Sequence, residues 1–222
     1  MTYRFDFGVL APYWEQFLRG CGLTILLATC SITIGLAIGV VTALAKRSHV
    51  GPVRLAATSY VELIRNTPFL VQVFFIYFGL PTLGLRFEPW SAAILALSVN
   101  CGAFAAEVIR GGIEAIPRGQ YEAGAALGLK PLQVFRYVVL KPTLRIIFPA
   151  LSGQFVLALL TTSIVSSISA EELTAIAESL DTITFRSFEI YIVATALYLA
   201  MSILLATILR MINRASFSYP VK

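Results

Sequence analysis

The sequence predicts an all-α integral membrane protein of about five transmembrane helices, with its N-terminus outside and its C-terminus inside. Three observations carry that expectation. Hydrophobic residues make up 58% of the chain and charged residues 13%, with a mean hydropathy of +0.82, where a soluble domain carries roughly 25% charged residues. Five stretches contain no Asp, Glu, Lys or Arg: Gly20–Ala45, Asn66–Leu85, Pro89–Ala106, Ile146–Ala170 and Ile190–Leu209. The basic residues are unevenly shared between the segments that join these stretches.

A helix needs roughly 20 apolar residues to cross the hydrocarbon core. Four stretches reach that length, and the third is expected to continue to Arg110. The spans are therefore placed near 20–46, 55–80, 89–110, 138–168 and 188–210, in one membrane domain covering 1–222. Met1–Arg19 reads as an amphipathic lead-in that is retained, because the apolar core of a signal peptide is only roughly 7–15 residues long.

Within the first span, Gly35 and Gly39 form a Gly-x-x-x-Gly that permits close helix approach. Packing inside the chain is the expected use. Cys21, Cys30 and Cys101 lie in apolar stretches and make neither a metal spacing nor a disulfide frame. The only histidine, His49, lies in a charged loop and is given no role. No catalytic constellation, no metal site and no Gly-x-x-x-x-Gly-Lys phosphate loop is present.

The second span carries Glu62, Arg65, Asn66, Thr67 and Gln72. Glu62 and Arg65 are three residues apart and can pair on one helix face, and Glu107 and Arg110 repeat that spacing in the third span. Both are read as structural ion pairs near the inner boundary. Pro68 has no N–H for the Ile64 carbonyl and should kink the helix. A carbonyl freed at mid-membrane needs a polar partner or water. Asn100 should lie at a similar depth. In the fourth span Gln154, Ala158 and Thr161 form one stripe, and Thr162, Ser166 and Ser169 the next. Asn66, Thr67, Pro68, Gln72, Asn100, Gln154, Thr161 and Thr162 are the candidate lining of a substrate pathway, since polar groups inside a membrane usually mark one. The alternative is that the hydroxyls bond back to their own helices and Asn100 bridges two helices.

Five spans place alternate loops on opposite sides. Segments 46–54, 110–145 and 210–222 hold twelve of the 17 Lys and Arg residues, the other set (Arg4, Arg19, Arg86, Arg186) holds four, and Arg65 falls within a span. The positive-inside rule makes the first set cytoplasmic. The net charge of +5 then reads as attraction to anionic lipid. No basic cluster is interleaved with aromatics as nucleic-acid binding would require. On the outer side, 167–188 holds Glu171, Glu172, Glu178 and Asp181 against Arg186 alone. It is either a docking surface for a soluble protein or plain solvation.

The cytoplasmic loop, near 111–137, contains Pro117, an Ala- and Glu-rich run over Gln120–Leu127, then Gly128 and Pro131. This spells a two-turn helix between breakers. Glu122-Ala123-Gly124, then Gly128, then Val138-Val139-Leu140 resembles the EAA loop of permeases in ATP-binding cassette (ABC) importers. Gly124 stands where that pattern has its second Ala, and Lys141 where it has Pro. The stretch from Val61 through Glu62, Arg65-Asn66-Thr67-Pro68-Phe69 and Gln72 to Pro81 resembles the polar amino-acid uptake branch of these permeases, as does Ala106–Ile113 with Ile116–Gln120. The branch often has Lys and an acid where this chain has Leu160 and Thr161.

The resemblance implies a type I importer permease of the inner membrane. It implies that Gln120, Tyr121, Glu122, Ala123, Gly124, Leu127 and Gly128 form a coupling helix that docks on a separate ATPase. The partners implied are two cytoplasmic ATPase subunits, a second permease (identical or homologous), an extracytoplasmic solute-binding protein and an amino-acid substrate. This chain would bind no cofactor, with ATP and Mg held by the ATPase. An ion-coupled secondary transporter or a channel subunit is the alternative, although the inverted repeat common in the former is not visible.

Overall fold

The computed structural model describes residues 3–217. Among them every regular element is helical. A 3₁₀ turn, Phe7–Tyr13, runs straight into α1 (Trp14–Lys46), so the first span is one helix from Phe7 and the lead-in is its N-terminal end. Pro12 lies inside that turn and has no N–H to give it, yet the chain continues into α1 without a break. Met1 and Thr2 of the lead-in, and Lys222 of the basic tail, lie outside the described residues.

The second span departs most from expectation. It is two helices, α2 (Gly51–Arg65) and α3 (Phe69–Phe74, continued by a π turn and a 3₁₀ turn to Leu83), bent by 112°. A proline excludes the α conformation at the residue before it, and Pro68 itself is extended. The chain therefore breaks over Asn66–Pro68 where a kink was expected. Beyond it, α4 (Pro89–Glu114) runs one turn past Arg110. Then come α5 (Arg118–Ala126) and α6 (Pro131–Val134), which leads through a π turn into α7 (Leu140–Thr161). The fourth span thus begins at Pro131 and ends in a 3₁₀ turn at Ile168. The last span is α9 (Ser187–Phe217).

Four unbroken spans and the bent pair make up the five. Glu189, at the start of α9, accepts from the Tyr3 hydroxyl and, at 2.9 Å, from the Asp6 N–H. The first and last spans therefore begin on one face, as an odd number of crossings requires.

The pivot of the bundle is the contact of α1 with α4. A Cβ on Gly35 would lie 2.8 Å from the Cys101 Cβ, one on Gly39 2.7 Å from the Ala105 Cβ, and one on Gly102 2.7 Å from Ile38. The Gly-x-x-x-Gly therefore serves packing within the chain, with α4 answering it in kind. Around this pivot lie a cluster with Phe17, Leu173, Leu180 and Ile190 near the start of α1, a second with Leu27, Val73, Leu97 and Val165, and a third with Val61, Ile109, Ile147 and Leu151 toward the end of α4.

The segment 167–188, expected on the outer side, is largely a helix, α8 (Leu173–Thr184). Its acids are not one solvated face. Glu172 is fully buried and caps α8, accepting from the Ala175 N–H at 3.0 Å, from the Thr24 hydroxyl at 3.3 Å and from the Tyr198 hydroxyl. Gly20 lets the start of α8 press on α1, since a Cβ there would lie 2.9 Å from the Leu173 Cα. Glu172 therefore ties α8 to both the first and last spans. Burial raises its carboxyl above the ordinary range, and the Tyr198 hydroxyl and Ala175 N–H oppose that rise.

Glu172→Ala removes a helix cap and the acceptor shared by the Thr24 and Tyr198 hydroxyls, which keep only the Leu173 N–H and the Thr174 hydroxyl as partners, a cost of about 1–3 kcal/mol. It should lower the thermal unfolding temperature of the purified chain by several degrees. A raised carboxyl favours the fold below its unfolded pKa and loses that contribution as pH rises through the folded value. The melting-temperature advantage of the parent over Glu172→Gln should thus shrink between pH 4 and pH 8.

Candidate functional site

At the break in the second span, the missing N–H of Pro68 leaves the Ile64 carbonyl without its helical donor. Gln72, one turn further on, supplies a replacement. Its amide nitrogen donates to the Ile64 carbonyl at 2.7 Å and also meets the carbonyl and hydroxyl of Thr67, at 3.1 and 2.9 Å. The Thr67 hydroxyl in turn donates to the Leu63 carbonyl at 2.8 Å. The Gln72 oxygen accepts from the Asn100 amide of α4 at 3.0 Å. A buried glutamine thus bridges the two arms of the break and fixes them to α4.

Thr67, Pro68, Gln72 and Asn100 of the predicted pathway residues meet here. Asn66 does not join them. It is exposed and, with Lys46, Val61, Glu62, Arg65, Phe104 and Glu107, lines a cavity of about 270 Å³. Gln154, Thr161 and Thr162 are elsewhere in the bundle. Thr161 and Thr162 donate to the carbonyls of Leu157 and Leu159 on their own helix, and Gln154 is half-buried and makes no hydrogen bond among the described residues.

The expected Glu62–Arg65 pair is absent. Arg65 ends α2, and its guanidinium turns to α4, 3.8 Å from Glu107 and over the Phe104 ring at 5.3 Å. Glu62 is exposed and makes no salt bridge within 4.0 Å among the described residues. A tertiary carboxylate, already ordered, displaces the local partner. The Glu107–Arg110 pair does form, at 2.8 Å, inside a larger cluster. Glu107 also takes the Lys46 ammonium from the end of α1, and Arg110 takes Glu114 at 2.6 Å. Lys46 was overlooked as a site residue because it ends an apolar stretch and looks like a loop charge.

Below the cluster, Gly128 (φ +74°) ends α5, and Pro131 opens the next helix. Glu122, Ala123 and Leu127 are exposed, Leu127 at 79%, and so is Leu132, at 77%, in the next helix. Gln120 and Tyr121 are half-buried, and Gly124 is buried against Val134. A Cβ at Gly124 would lie 2.9 Å from a Val134 methyl, which explains why glycine replaces alanine here. On the opposite face of the protein, Gln16, Arg19, Glu171 and Glu178 line an open bowl of about 560 Å³. Among the described residues no group of three or more His, Cys, Asp or Glu could hold a metal ion.

Residues 35–217 match the family described as the binding-protein-dependent transport system inner membrane component. The chain belongs to that family. Its place is accordingly the inner membrane, and its fold is that of an importer permease. Similar relatives include the glutamine transport system permease protein GlnP of Escherichia coli (strain K12), 34% identical over 95% of this chain and 97% of that protein. The L-cystine transport system permease protein TcyB of Bacillus subtilis (strain 168) is also 34% identical, over 96% of this chain and 92% of that one.

Among solved structures, an amino acid ABC transporter crystallised with histidines superposes with a TM-score of 0.90 at 37% identity, covering 96% of this chain and all of that one (100%). An inward-facing MetNI methionine ABC transporter, at 21% identity and a TM-score of 0.73 over 93% of this chain and 98% of that one, shares the fold. As a binding-protein-dependent transport component, the chain is a transport subunit.

Proposed function

We propose that this chain is the membrane-spanning half of an ABC importer for a polar amino acid. It works with a second permease subunit, two cytoplasmic ATPases that hold ATP and Mg, and an extracytoplasmic solute-binding protein. The observation that carries this reading is α5. It is a two-turn helix held between Pro117 and Gly128, and it presents Glu122, Ala123 and Leu127 to solvent, as the next helix does Leu132. Apolar side chains this exposed, at the end of a bundle and outside its apolar belt, fit a protein partner. The charge count of the loops supports placing this helix in the cytoplasm.

The Gln72–Asn100 bridge, with Thr67 and the broken backbone beside it, supports a polar route at mid-membrane. Irregular backbone is tolerated at that depth only where protein or a water-lined cavity satisfies it. The relatives named for glutamine and cystine transport support a polar amino acid as the solute.

Alternating access follows from linkage. ATP binding that favours one arrangement of the coupling helices must favour the pathway state joined to it by the same free energy. The reading is tested by co-expressing the chain with its ATPase, binding protein and partner permease in proteoliposomes and measuring amino-acid uptake with and without ATP inside. Uptake should require ATP, and ATP-independent uptake overturns the reading. Glu122→Ala should leave the chain in the membrane and lower uptake by about tenfold or more, the equivalent of ~1.4 kcal/mol of docking energy. Normal uptake in that variant removes α5 from the ATPase contact.

A further inference from the structure

We infer that Glu107 is a positioning residue of transport: it joins the cytoplasmic coupling segment to the bend angle of the second span. The inference rests on the importer reading above. It starts from where α4 touches the break. Asn100 of α4 holds the second arm, α3, through Gln72 at 3.0 Å. Two turns along the same helix, Glu107 holds the first arm, α2, through Arg65. One stiff helix thus clasps both sides of a 112° bend. The same helix ends at Glu114, and the chain passes through Ala115–Pro117 into α5. A displacement of α5 therefore reaches both clasps along α4.

The contacts of Glu107 are unequal. Lys46 and Arg110 are close partners, at the end of α1 and on α4 itself. Arg65 stands at 3.8 Å, with its side chain 42% exposed while that of Glu107 is 17% exposed, and it borders the 270 Å³ cavity. One carboxylate therefore faces three cations, and Arg65 is the loosest. A charged contact near the edge of a low-dielectric region changes strongly in energy over a small change of distance. The Arg65 contact is the one that can open without dismantling the rest, and the Phe104 ring, which already lies 5.3 Å from the guanidinium, can keep it in place when the carboxylate withdraws. Opening it removes the charged tie of α2 to α4, so that α2 can tilt about the contacts that remain: Gln72 on the Ile64 carbonyl and Asn100, and the Tyr60 hydroxyl, which donates to the Val99 carbonyl of α4 at 2.6 Å.

The test uses the assembled transporter in proteoliposomes, with spin labels on exposed Leu55 of α2 and Leu83 beyond α3, in a background where Cys21, Cys30 and Cys101 are replaced by serine. The parent should show ATP-driven uptake and a change in the label-to-label distance on trapping with ATP and vanadate. Glu107→Gln and Arg65→Gln should each lose that change. Each should lower the amino acid moved per ATP hydrolysed by about tenfold or more, with ATP hydrolysis retained. The double variant should be no worse than either single one, as for two residues acting as a unit, and Arg65→Lys should restore part of the ratio.

If Glu107→Gln does not accumulate, Arg65→Gln with its Lys rescue decides the matter. Parent-like arm movement and transport ratio in the Gln variants overturn the inference and leave the importer reading intact, as does a double variant whose loss is the product of the two single losses. A parent with no ATP-dependent uptake overturns both.

Discussion

Gln72→Leu is expected to abolish most uptake. Leucine fills a similar volume but supplies neither donor nor acceptor. The Ile64 carbonyl then has no partner at the break, and the Asn100 amide loses its acceptor. Each orphaned buried group costs about 1–3 kcal/mol, and inside a membrane no bulk water is at hand to replace the bond. The two arms of the second span lose their common tie to α4. Reconstituted uptake should fall by about tenfold or more, with the ATPase still recovered alongside the chain, because α5 is far from the change. Gln72→Glu separates geometry from charge: it keeps the acceptor that faces Asn100 but replaces the donor with an anionic oxygen facing a carbonyl, so it should fail as well. Uptake near the parent level in both variants would show that the bridge is dispensable.

Gly39→Val acts on the whole bundle. The added Cβ alone would lie 2.7 Å from the Ala105 Cβ and 3.2 Å from backbone atoms of α4, and valine brings two methyls more. Neither helix has a flexible side-chain end to withdraw at that point. Overpacking of this kind costs about 1–3 kcal/mol where side chains can yield, and here two backbones must part instead. The Gly35–Cys101 and Gly102–Ile38 contacts lie on the same seam and would open with it. The variant should be nearly absent from purified membranes, as a quantitative blot would read. Gly22→Val, where a Cβ meets nothing within 4 Å, should accumulate like the parent.

Much of this architecture was legible in the residues. Long apolar stretches identify spans because nothing else in a short chain requires them, and Gly128 marked the end of α5. The depth of the break at Pro68 was not legible. Whether a proline bends a helix or parts it depends on what satisfies the freed carbonyl, and here that group is a side chain fixed from another span. The Glu62–Arg65 expectation failed for a related reason. Spacing along one helix says that two side chains can meet, but it does not know that Glu107 waits on α4. The helix α8 was missed because its mixed composition resembles a solvated loop until Glu172 is seen to be buried. In the fourth span, hydroxyl spacing suggested a stripe, yet Thr161 and Thr162 spend their donors on their own backbone.

The broken span also constrains how the protein is made. A ribosome delivers the chain in order, and α9, whose stretch Ile190–Leu209 carries no charge, can partition into lipid without help from its neighbours. The segment from Gly51 to Leu83 cannot do so. It carries Glu62, Arg65 and Asn66, and its contacts arrive late: Asn100 is synthesised 28 residues after Gln72, and Glu107 later still. Until α4 emerges, this segment is a poor membrane passenger whose charges are expensive in hydrocarbon. It has to wait at the insertion machinery or at the lipid–water boundary. The second and third spans are therefore expected to enter the bilayer together, as a single unit of biosynthesis.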